Sequence, residues 1–64
     1  MLTKSRDIKN RLEADGWLLE RVRGSHHIFR HPANGAIIVL PHPKKDLGVG
    51  LVRSIYRAAG WAFD

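Results

Sequence analysis

WLLERVRGSHHIFRHPANGAIIVL, residues 17–40, is the stretch whose reading decides the fold. Trp17, Leu18, Leu19 and Val22 favour extended backbone while Glu20, Arg21 and Arg23 interrupt the apolar run, so residues 17–23 read as a strand. Gly24-Ser25 makes a tight turn into a second strand over residues 26–31. Successive side chains on a strand point to opposite faces. His26, Ile28 and Arg30 therefore share one face, and His27, Phe29 and His31 the other. Pro32-Ala33-Asn34-Gly35 is a second turn. Ala36-Ile37-Ile38-Val39-Leu40 follows as a third strand, and its unbroken apolar run predicts a central strand or one buried on both sides. Connections this short make the three strands an antiparallel meander.

The flanks supply two helices. Residues 4–15 place Ile8 and Leu12 four apart on one face, with Thr3 or Ser5 available as N-cap and Gly16 as a left-handed stop. Pro41-His42-Pro43 ends the third strand. Val49, Val52, Ile55, Tyr56 and Ala59 then recur at helical spacing over residues 48–59, and Gly60 closes that helix. The apolar tail Trp61-Ala62-Phe63-Asp64 is expected to fold back. The predicted order is α-β-β-β-α: an α+β two-layer sandwich, one domain over residues 1–64, with both helices on one face of the sheet. A double-stranded-RNA-binding domain has the same layout, which alone assigns no function.

Composition narrows the partners. Eleven Lys and Arg against six Asp and Glu give a formal charge of +5, a balance suited to polyphosphates, anionic surfaces or an acidic protein. No apolar run approaches a membrane span, no signal peptide is expected, and the absence of cysteine fits a reducing cytoplasm. At 64 residues much apolar surface stays uncovered, so docking on a partner adds to stability.

Three of the four histidines lie in residues 24–32. Imidazole both takes and gives a proton near neutral pH. His26 reads either as a general acid/base for RNA cleavage through the 2′-hydroxyl or as a surface histidine bonded to a neighbour. His27 and His31 read as hydrogen-bonded groups at the core margin, and His42 either as a residue that faces substrate or, preferred, as a plain loop residue. Adjacent His26 and His27 point to opposite faces and no Cys pair or HExxH motif exists, so neither a metal nor any other cofactor is expected. Lys44 and Lys45, ahead of the second helix, read as a phosphate grip with the amides of that helix start, or as a solvated turn. Gly48 and Gly50 would let a backbone approach there. Arg21, Arg23 and Arg30, on neighbouring strands, are expected to form a cationic surface together with Lys44 and Lys45. Arg53 and Arg57, four apart on a helix, suit phosphate or an acidic protein. Trp17, Phe29, Trp61 and Phe63 read as core residues and not as base-stacking platforms.

The series Leu12…Gly16-Trp17, Gly24-Ser25-His26-His27-Ile28-Phe29-Arg30-His31-Pro32, Val39-Leu40-Pro41-His42-Pro43-Lys44-Lys45-Asp46-Leu47 and Gly50-Leu51-Val52-Arg53-Ser54-Ile55…Ala59-Gly60 resembles the HicA toxin family over essentially the whole chain. The resemblance implies a double-stranded-RNA-binding-like fold, an mRNA interferase of a prokaryotic toxin–antitoxin pair, and a HicB-type antitoxin that covers the active surface. It further implies that His26, after the Gly24-Ser25 turn, is the catalytic residue. Arg23, Gly24, Ser25, Lys44 and Lys45 are the expected substrate-binding residues, with RNA as substrate. The Gly48-Val49-Gly50 helix entry and the Trp61-Ala62-Phe63 extension depart from the family pattern. The alternative is a non-catalytic RNA-binding or protein-interaction module on the same basic face.

Overall fold

The computed structural model describes all residues, 1–64. In chain order it contains α1 (Ser5–Ala14), β1 (Leu18–Arg23), β2 (His26–Arg30), β3 (Ile37–Pro41) and α2 (Val49–Ala59). The sheet is antiparallel in the order β1-β2-β3, as a meander requires. The strand in the middle is therefore β2. The expectation of a third strand that is central or buried on both sides is overturned on both counts: β3 is an edge strand whose Ile38 and Leu40 are buried while Ile37 and Val39 are exposed. An apolar run without polar interruption marks two sheltered faces only when both are covered, and here helices cover one.

That covered face is the core. Phe29, Ile38 and Leu40 from the sheet meet Ile8 and Leu12 of α1 and Val52, Ile55 and Tyr56 of α2, with Trp17 and Leu47 closing the ends. Trp17 lies just ahead of β1 and is buried, while Val49, the first residue of α2, is 66% exposed and stays outside the core that its apolar spacing indicated. Phe63 is also outside the core, stacked beneath the guanidinium groups of Arg53 and Arg57. The tail does fold back. Trp61 packs edge-on against Tyr56, its indole N–H donates to Asp15, and the N-terminal ammonium reaches Asp64 at 3.1 Å.

The LLERVR sequence of β1 does not alternate, and a bulge reconciles it with the sheet. Leu19 opposes Phe29 and Arg21 opposes Ile28, so Glu20 is the extra residue. Cross-strand partners share a face. Beyond the bulge, Val22 opposes His27 on the helix side, while Arg21 and Arg23 oppose Ile28 and His26 on the open side. Glu20 itself reaches Arg30 at 2.7 Å.

Neither expected side-chain cap forms on α1. Lys4 holds the cap position without a side-chain bond, and Ser5 is the first helical residue, 1% exposed. At the other ends the glycines act as read: Gly16 and Gly60 have φ of +92° and +75°, the left-handed region that stops a helix.

Phe29→Ala removes the central ring of the core, and its expected cost is about 3–5 kcal/mol. Leu18→Ala, on the open face, is expected to change stability by no more than about 0.5 kcal/mol. Urea unfolding followed by far-UV circular dichroism checks both.

Candidate active site

Period-two alternation on β2 separates the adjacent histidines. His27 opposes Leu40 and Val22 on the helix side, and His26 opposes Pro41 and Arg23 on the open side. His26 is exposed at the first position of β2, straight after the Gly24-Ser25 turn. Gly24 sits at φ +60°, where a side chain would strain the turn. Arg23 stands directly across the strand pair from His26.

The rest of the open face has a mixed character. Leu18, Ile37 and Val39 are 59%, 45% and 45% exposed, and half-buried Ile28 lies among them. Arg21, Arg23 and Arg30 border this apolar centre.

Behind His26, on the helix side, the side chains of the sheet end are knotted together. Ser5 Oγ lies 2.7 Å from His42 Nδ1, 2.9 Å from the Lys44 carbonyl and 2.7 Å from the Lys44 amide. The carbonyl only accepts and the amide only donates. The single hydroxyl proton therefore goes to the carbonyl, and His42 Nδ1–H donates to Ser5 Oγ. This assigns His42 the Nδ1–H tautomer and leaves Nε2 as its acceptor nitrogen. Burial lowers the His42 pKa from its ordinary value of 6.5, with the positive charges of His27 and Lys9 acting in the same direction. Its ring meets His27 edge-on at 4.9 Å.

His42 is thus an anchor of the loop after β3, not the plain loop residue its setting between prolines indicated. Its main-chain amide also donates to the Ser25 carbonyl at 2.7 Å, tying the knot to the turn that presents His26. His27 is half-buried as read, yet its Nδ1 has no hydrogen-bond partner, so the expectation of a satisfied polar group fails there. At the far end of β2, His31 does meet its expectation: its ring nitrogens pair with the Asp15 carbonyl and the Ala33 amide.

The expected site residues fall into two groups. Arg23, Gly24, Ser25 and His26 gather at one end of the open face. Lys44 and Lys45 instead border a cavity of about 370 Å³ with Lys4, Ser5, Arg6 and His42. The reading that joined the two lysines to the second helix start is corrected. The Lys44 carbonyl accepts from the amide and hydroxyl of Ser5, so its loop belongs to the start of α1, while α2 begins only at Val49. Sequence reasoning missed Lys4, Ser5 and Arg6. A local reading has no means of pairing residues almost forty positions apart. No group of three or more His, Asp or Glu side chains is placed to share a metal ion, and no helix is long and apolar enough to cross a membrane.

A family model described as "HicA toxin of bacterial toxin-antitoxin" matches residues 5–61. It therefore takes in both helices, the whole sheet and the knot at Ser5 and His42. No curated protein matches the chain.

Two outcomes test the knot. Ser5→Ala leaves the Lys44 amide and His42 Nδ1–H without an acceptor, and the expected loss is roughly 1–3 kcal/mol in urea unfolding. Because the folded chain binds a proton at His42 less readily than the unfolded chain does, the stability His42 contributes is complete above about pH 6.5. It is lost as pH falls through its lowered folded pKa. His42→Asn keeps a donor toward Ser5 but does not titrate, so its stability should fall less between about pH 7 and pH 5 than that of the unaltered chain.

Proposed function

The chain belongs to the HicA toxin family, the toxins of bacterial toxin–antitoxin pairs, and from that premise we propose that it is an endoribonuclease that cuts mRNA with His26 as its proton-transfer group. The observation that carries this reading is the placement of His26: an exposed imidazole at the start of the central strand, on the open face, with Arg23 across from it.

The chemistry asks little more of the protein. The 2′-hydroxyl of the RNA attacks its own adjacent phosphorus as a base takes the hydroxyl proton. The bond from phosphorus to the 5′-oxygen breaks, and that oxygen leaves with a proton. The products are a 2′,3′-cyclic phosphate and a 5′-hydroxyl. His26 takes the first proton or supplies the second, and positioned proton transfer of this kind is worth about 10²–10⁴ in rate. Arg23, the cross-strand partner of His26, is the cation we assign to offset charge building on the phosphate oxygens. The Gly24-Ser25 turn sets the imidazole at the sheet end, where a single strand has access from solvent.

A toxin of such a pair has an antitoxin, and we assign a HicB-type protein to the open face. Leu18, Ile28, Ile37 and Val39 form an apolar centre within a cationic border, the arrangement of an interface that meets an acidic-rimmed protein. A partner seated there covers His26.

Brief induction of the unaltered chain and of His26→Ala in bacteria lacking the antitoxin, with transcript ends mapped by primer extension, tests the reading. New 5′ ends are expected only with the unaltered chain. Cuts from both proteins, or from neither, overturn the role of His26.

A further inference from the structure

We propose that the cavity bordered by Lys4, Arg6, Lys44 and Lys45 binds a phosphate of the same RNA strand, as a subsite separate from the phosphate that reacts at His26. This rests on the reading of the chain as an RNA-cutting enzyme.

Four of the eleven Lys and Arg residues converge on this one cavity of about 370 Å³. Like charges held together repel, and an arriving anion relieves that repulsion. The protein itself supplies little relief. Only Arg6 is paired with a carboxylate, Asp7 at 3.6 Å in an exposed pairing, and Lys4, Lys44 and Lys45 have no ion pair. Asp46, the other acid nearby, accepts from the Thr3 hydroxyl and does not line the cavity.

The floor is rigid. Ser5 is buried and bonded on three sides, and it fixes both His42 and the Lys44 backbone, so the cations hang from a frame ordered before any ligand arrives. Position links the cavity to the reacting site. Pro41 is the cross-strand neighbour of His26, and His42, the next residue, lines the cavity. A strand that passes His26 and turns around the end of the sheet enters it.

RNA fits this cavity better than an acidic protein does. Protein interfaces have an apolar centre, and no Leu, Ile, Val or aromatic hydrocarbon side chain lines this cavity. The apolar centre of Leu18, Ile28, Ile37 and Val39 lies apart from it, on the open face of the sheet.

The test measures binding of a single-stranded RNA oligonucleotide by fluorescence anisotropy at several salt concentrations, with His26→Ala protein so that the RNA stays whole. Adding Lys4→Gln and Arg6→Gln is expected to weaken binding several-fold and to lower the salt slope by about 0.7 for each phosphate no longer neutralised. Arg53→Gln with Arg57→Gln removes the same charge from α2 and is expected to leave the slope unchanged. Equal effects of the two pairs overturn the subsite.

Should the first pair fail to fold by circular dichroism, inorganic phosphate titrated into unaltered ¹⁵N-labelled protein decides the matter. Amide shifts concentrated at Ser5, Arg6, Lys44 and Lys45 support the subsite, and shifts spread evenly or absent overturn it. The two readings fail separately. Equal salt slopes beside cutting that depends on His26 remove the subsite and leave the enzyme. Phosphate shifts at these amides beside an absence of cutting remove the enzyme and leave an anion site.

Discussion

Everything distinctive about this chain depends on the alternation of side chains along β2. Phe29 faces the helices and anchors the core, so His27 must face them too, and His26 must face away. A slip of one residue in register would bury His26 and expose Phe29, exchanging core and site in one step. Pairing on both sides protects the register, because β2 is the middle strand and both its neighbours are joined to it by short turns. The bulge at Glu20 extends the same logic to β1. It returns Val22 to the helix side and sets Arg21 and Arg23 on the open side, so a strand with no clean pattern still delivers its cations to the face where His26 stands.

The second organising feature is the knot at the other edge of the site. Ser5, His42 and Lys44 join the start of α1 to the loop after β3, and His42 joins that loop to the turn before His26. A serine at a helix start usually spends its hydroxyl on its own helix. Here Ser5 bonds to another part of the chain. The first turn of α1 goes without a side-chain cap, and the sheet end gains a fixed loop. The same knot brings Lys44 and Lys45 beside Lys4 and Arg6 and so creates a concentration of charge that neither segment has alone.

The sequence shows clearly whatever depends on local periodicity and turn chemistry. Both helices, all three strands, the meander, and the division of His26 from His27 follow from spacing and from glycine and proline positions. Misreadings arise where the answer depends on what lies opposite. The apolar run of β3 looks doubly buried, yet nothing covers its outer face. Val49 and Phe63 are apolar and stay exposed, outside the core. His42 looks idle between two prolines because its partner is Ser5, distant in the chain. For the site, the Gly24-Ser25-His26 stretch is legible as a motif, whereas the cavity with Lys4 and Arg6 is a product of tertiary folding and leaves no local mark.

Placing the RNA at His26 is the central claim, and a spectrum of the four imidazoles tests it most directly. The protein, labelled with ¹³C at histidine, is titrated with a single-stranded oligonucleotide of 2′-O-methyl nucleotides, which lacks the attacking hydroxyl and cannot be cut. The ring signals of His26 are expected to move as the oligonucleotide binds, while those of His31, at the opposite end of β2, stay in place. Binding that shifts His31 and leaves His26 unmoved would contradict the account.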